Sequence, residues 1–149
     1  MKRVGGWDTW LLAVAVAMSA FGVFMALFSR SPAFDAFNRQ IDPAFWPEGV
    51  TDPAVRDFQG MIYGVWGATV AGLGALAAFV VFGPYRSRQR WARNALVAAI
   101  ALWFILDTGI SARYGVWFNV AFNSAILIAL ALPVAFTWRE FRKRGTLNE

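Results

Sequence analysis

The chain has 149 residues, 58% hydrophobic and only 15% charged, with eight Trp, fourteen Phe and a formal charge of +5. A soluble domain of this length cannot hide so much apolar surface, so lipid is expected to cover much of it. With neither Cys nor His, disulfides, thiol catalysis, iron–sulfur clusters, imidazole-ligated haem or metal and a Ser-His-Asp triad are excluded.

Nor does the chain hold a Walker loop, a dinucleotide glycine fingerprint or an HExxH motif. No cofactor is therefore expected, and no enzymatic activity. The pI of about 10.4 does not imply nucleic acid. The basic residues sit just beyond apolar runs, where they mark topology and meet anionic headgroups.

Taken in order, Lys2 and Arg3 give a basic start, and Trp7 and Trp10 suit a headgroup boundary. Residues 10–28 carry no charge and would span about 28 Å as a helix, enough for one crossing. Ala15-Val16-Ala17 resembles a signal-peptide cleavage site, but it lies in mid-run rather than after it, so the segment is expected to be a retained span. Ala15, Ser19, Gly22 and Ala26 form a small-residue stripe that another helix can approach closely.

Residues 29–58 form the one long connection, with four of the six prolines and five acids against three arginines. Ser31-Pro32 reads as an N-cap and first helical residue. Phe34, Phe37 and Ile41 then mark a short external amphipathic helix, lying on the membrane with its phenylalanines in lipid or serving as a lid. Asp42-Pro43 and Asp52-Pro53 repeat the cap signature, the second opening a long helix.

The second span covers about residues 59–82 and is ended by Gly83-Pro84. Gly60, Gly64, Ala68 and Gly72 recur every four positions, with Gly67, Ala71 and Ala75 as a parallel row. Lipid gives apolar helices no hydrophobic reason to associate, so such rows supply close packing. This helix is expected to be the central packing element, through Gly60, Gly64, Gly67 and Gly72. A turn rich in arginine (Arg86, Arg88, Arg90, Arg93) leads to a third span over about 94–110 and a fourth over about 117–138. Pro133 should free the carbonyl four residues before it and bend the fourth span.

The fold class is therefore all-α: one domain, an integral membrane four-helix bundle. Lys and Arg number two, four and four in the N-terminus, second connection and C-terminus, ten in all, against four in the other two connections. The positive-inside rule then puts both termini in the cytoplasm and the long loop outside. Twelve Arg against two Lys suggests a GC-rich genome, hence a bacterial inner membrane.

Asp107 is the one acid well inside an apolar run. A carboxylate at a span's centre costs about 2.5–3.5 kcal/mol on insertion scales, less near the ends. At matching depth lie Tyr63, Asn119 and Asn123, the asparagines four residues apart on one helix face. Trp66 and Trp103 lie about one turn deeper, and Arg113 is near enough along the turn to pair with Asp107. Gly109 and Gly115 would let that turn be tight.

This layer is either a satisfied structural network or a site. As a site it suits a binding module holding a lipid or small amphiphile between aromatic walls. Two alternatives stand beside it. One is a proton-coupled transporter acting as a homodimer, weakened by the lack of any acid in the other spans; small multidrug-resistance transporters need one in the first. The other is a structural subunit docked on a larger membrane complex. The charge count makes a direct prediction: alkaline-phosphatase fusions after Glu48 are active and fusions after Arg144 inactive, and the reverse would overturn every depth comparison.

Overall fold

The computed structural model describes residues 5–145, with side chains as far as Phe141. The basic start at Lys2 and Arg3 and the side chains of Arg142, Lys143 and Arg144 lie outside the described residues. Five α-helices follow in order: α1 (Gly6–Phe28), α2 (Asp35–Ile41), α3 (Pro53–Val80), α4 (Arg90–Arg113) and α5 (Trp117–Gly145). All but α2 are long and apolar enough to cross a membrane, and no strand occurs among the described residues.

Local chemistry explains the boundaries. Asp52 caps α3, its Oδ1 accepting from the Ala54 N–H at 2.8 Å, with Pro53 in the first turn. Ser31 does not cap α2; its hydroxyl turns back to the Phe28 carbonyl at 2.7 Å, and α2 begins four residues later. Gly83-Pro84 does not end the third helical segment either. The backbone widens into a π turn, Val81–Tyr85, with the Arg86 N–H reaching the Val81 carbonyl. Proline has no N–H, and its ring crowds the carbonyl four residues earlier; the wider turn accommodates both. Between α4 and α5 the chain reverses at Gly115, whose φ of +72° favours glycine, while Gly109 stays inside α4.

From its glycine rows the second span is expected to be central. Instead α1 holds that place, packed along α3 on one side and α5 on the other. The contact is made by small residues on both helices. A Cβ on Gly67 would stand 2.4 Å from the Ala26 nitrogen, and one on Gly74 would stand 2.5 Å from the Ser19 nitrogen. Gly22 meets the Ala71 backbone as closely, and the Ser19 hydroxyl donates to the Ala71 carbonyl at 3.0 Å. The working row is thus Gly67, Ala71 and Gly74. A Cβ on Gly60 would meet the Arg30 side chain, and the Gly60 carbonyl accepts from the Ser29 hydroxyl at 3.1 Å; Gly64 has ordinary contact room, and Gly72 has nothing within 4 Å. Expecting Gly72 to pack was wrong; it lies on the α3 face turned away from α1.

The α1–α5 contact has its own tie. Pro133 frees the Ala129 carbonyl, and the Trp10 indole N–H donates to it at 3.0 Å. Trp7 also stacks on Phe136 at 4.6 Å between ring centroids. α4 packs on α5 and on the π turn, but no extensive interface joins it to α3. The bundle is therefore open along one side.

Each end of the bundle is closed differently. At one end Arg88, in a left-handed backbone conformation (φ 60°), sends two N–H groups to Asp8 at 2.8 and 2.9 Å and pairs with Glu140 at 2.6 Å. Such a backbone costs about 1–3 kcal/mol outside glycine, and the paired guanidinium holds it. Burial, the largest influence on Arg88, weakens its proton affinity. The bonds to Asp8 and Glu140 outweigh it, so the guanidinium is held above its ordinary range. Tyr85 and Phe141, both fully buried, fill the space beneath, and the Tyr85 hydroxyl meets the Thr137 hydroxyl at 2.6 Å.

At the other end α2 lies across the helices. Phe34 is 2% exposed and packs on Phe24, Phe37 and Tyr63, and Phe37 meets Phe21, Phe118 and Phe122. The expectation that these rings lie in lipid fails because the bundle end offers an aromatic bed that buries them more fully.

The glycine contacts separate two substitutions that the sequence treats alike. Gly67→Leu should force α1 and α3 apart, at the upper end of the roughly 1–3 kcal/mol typical of overpacking or beyond, and deplete folded protein in detergent. Gly72→Leu should melt as the wild type does. Equal melting temperatures for the two variants would contradict the helix pairing.

Candidate functional site

Asp107 sits two turns before the end of α4, with Thr108 beside it and Ser111 one turn on. From α5, Asn119 and Asn123 both donate to Asp107 Oδ1 at 2.8 Å, and the Ser111 hydroxyl adds a longer bond at 3.3 Å. Asn119 also donates to Ser111 at 2.7 Å, and Asn123 to Thr108 at 3.2 Å. The carboxylate thus collects two amides and a hydroxyl and no cation. Hydrogen bonds of this kind offset the desolvation that otherwise makes a buried carboxylate expensive.

Arg113 does not join them. It is exposed at the end of α4, and no ion pair links it to Asp107. Tyr63 is likewise outside the network. It packs beneath Phe34 and beside Trp66, and its hydroxyl makes no hydrogen bond among the described residues. Of the seven residues picked out in the sequence, the structure joins Asp107, Asn119 and Asn123 by hydrogen bonds. Tyr63, Trp66 and Asn119 share a cavity wall. Trp103, half-buried on α4 one turn before Asp107, meets Phe104 and does not line that cavity.

The cavity, about 330 Å³, occupies the gap that α3 and α4 leave between them. Its α3 wall is Phe58, Gln59, Ile62, Tyr63 and Trp66. Ile110, Ser111 and Tyr114 face it from α4 and the turn, with Val116 and Asn119 at the start of α5. Ile41 at the end of α2 and Phe45 and Trp46 of the connection after it close the cavity at one end, Phe45 resting on Tyr114 at 5.8 Å. That closure is clasped: Asp42 accepts from Arg56 at 2.7 Å and from Gln59 at 2.8 Å, and Arg56 also donates to Gln59 at 3.0 Å. No charged side chain lines the cavity, and Asp107 lies behind Ser111 and Asn119.

Several members were missed in the sequence. Ser111 follows Asp107 by one helical turn, a spacing that was readable. The clasp of Asp42, Arg56 and Gln59 spans 17 residues and looks in sequence like a cap and two surface side chains, so nothing marked it.

No family model, curated protein or solved structure matches this chain.

The network predicts different costs for different removals. Asp107→Leu strands the amides of Asn119 and Asn123 and should cost roughly 1–3 kcal/mol for each group left unsatisfied. Asp107→Asn keeps an acceptor oxygen and should retain the fold. Arg113→Gln should change stability by no more than about 0.5 kcal/mol. Chemical denaturation in detergent measures all three, and a large loss in Arg113→Gln would mean that a 107–113 ion pair forms after all.

Proposed function

We propose that this chain is a small multi-pass protein of a bacterial inner membrane that binds a lipid or small amphiphile in the cavity between α3 and α4. By the positive-inside rule the α2 end faces outward and the cavity sits in the external leaflet. The observation that carries the reading is the unpacked gap itself. Two consecutive long apolar helices stand apart, and the space between them is walled by aromatic and aliphatic side chains with a few neutral polar groups at one end. That composition, apolar walls with few convergent polar groups, is typical of small-molecule sites, and the volume lies at the low end of their usual range of about 300–1,000 Å³. The gap offers a side entrance from the bilayer, where Phe58, Trp66 and Ile110 stay 58–60% exposed. The reading is one of binding rather than catalysis.

An alkyl diazirine probe tests it in vesicles. Photolabelling followed by peptide mapping should concentrate on Ile62, Trp66 and Ile110. Ile62→Trp, which fills the cavity, should remove most of that label while leaving label on the outer faces of α1 and α5. Even labelling along all four long helices, unchanged by Ile62→Trp, would refute the cavity as a binding place.

A further inference from the structure

The wall of the cavity is polar at one end and carries no charge, and from this we propose that its ligand is a neutral single-chain amphiphile whose head carries hydroxyl and carbonyl oxygens, as in a monoacylglycerol. The proposal rests on the reading of the cavity as a binding site and adds the chemistry of what is bound.

The argument runs through which polar groups are spent and which are free. Gln59 is engaged: its amide donates to Asp42 and its oxygen accepts from Arg56. Ser111 is spent between Asp107 and Asn119. Asn119 uses its N–H groups on Asp107 and Ser111, which leaves its carbonyl oxygen without a partner among the described residues. The Tyr63 hydroxyl also has none, and the same holds for the Trp46 indole N–H and the Tyr114 hydroxyl. The free groups of the lining are therefore all neutral: two hydroxyls that donate and accept, an indole N–H that donates, and an amide oxygen that accepts.

An ester carbonyl with a neighbouring hydroxyl answers that set, accepting from the tyrosine or indole and donating to Asn119. A phosphate or carboxylate head does not. It would leave water for a wall with no cation, a desolvation that unionised donors only partly repay. The nearby charges do not change the balance: Arg56 is neutralised by Asp42, Arg30 by Asp57, and Arg113 is exposed outside the lining. A cationic head fares no better, because Asp107 is screened by the two asparagines and Ser111. The apolar remainder, Ile62, Trp66 and Ile110, suits one alkyl chain lying in the gap.

Native mass spectrometry of the full chain, released from a non-ionic detergent, tests this with 1-monooleoylglycerol and oleoyl-lysophosphatidylglycerol as probes. One monooleoylglycerol should be retained per chain, with lysophosphatidylglycerol at least about tenfold weaker. Tyr63→Phe removes only a hydroxyl with no internal partner, so it should keep the fold and weaken monooleoylglycerol about tenfold, near one hydrogen bond's worth. Arg113→Gln should change neither probe. Equal or tighter binding of the phospholipid at a place blocked by Ile62→Trp overturns the neutral-ligand proposal while leaving the cavity reading intact, as does an unchanged affinity in Tyr63→Phe. Binding of neither probe, or binding that Ile62→Trp does not block, removes the cavity reading as well.

Discussion

The close approach of α1 and α3 is the constraint on which the rest depends. Gly22, Gly67 and Gly74 bring the two backbones so near that no side chain fits between them. Helices held this tightly gain dispersion contacts along their length, the main attraction available where both are surrounded by lipid. The contact also fixes which way α3 faces. Its small row is used up on α1, so its opposite face, with Val65, Leu73, Leu76 and Phe79, stays exposed. α4 is left to reach the bundle through α5 and the π turn. A gap between α3 and α4 follows, and the cavity lies in it.

The two ends of this open bundle are secured by different chemistry. At the Arg88 end one largely buried guanidinium joins the start of α1 and the end of α5, and its turn connects the third segment to α4. Removing one partner of the largely buried Arg88–Asp8 pair would leave the other charge uncompensated, which is destabilising. At the α2 end the closure is made of stacked phenylalanines and one clasp on Asp42, whose partner Arg56 is 40% exposed. Asp42 itself is buried, and Gln59, also buried, donates to its other oxygen. This second closure is the one that stands over the cavity.

Asp107 shows how a carboxylate settles without a counter-charge. Three donors converge on one of its oxygens, and all three side chains come from α5 or from the next turn of α4. The network therefore joins α4 to α5, and Asn119 is at the same time part of the cavity lining. On the proposed reading a structural role and a binding role are not alternatives, because Asn119 both holds Asp107 and lines the cavity.

Length and apolarity of the spans, the long connection, the cap at Asp52 and the tight turn at Gly115 were all legible in the sequence, because each depends on neighbours a few residues away. So was the freed carbonyl before Pro133, since proline's missing N–H acts within one helical turn. The pairing of Asp107 with Asn119 and Asn123 could be anticipated from depth along two adjacent helices. What the sequence could not decide was which way each helix turns about its own axis. That rotation separates Gly67 from Gly72, sends Phe34 inward rather than into lipid, and puts Trp66 on the cavity wall but not Trp103. It also leaves Arg113 outside the reach of Asp107 and gives Asp8 a partner 80 residues away. Helical spacing says which residues share a face, but only the packing of all the helices together decides what that face meets.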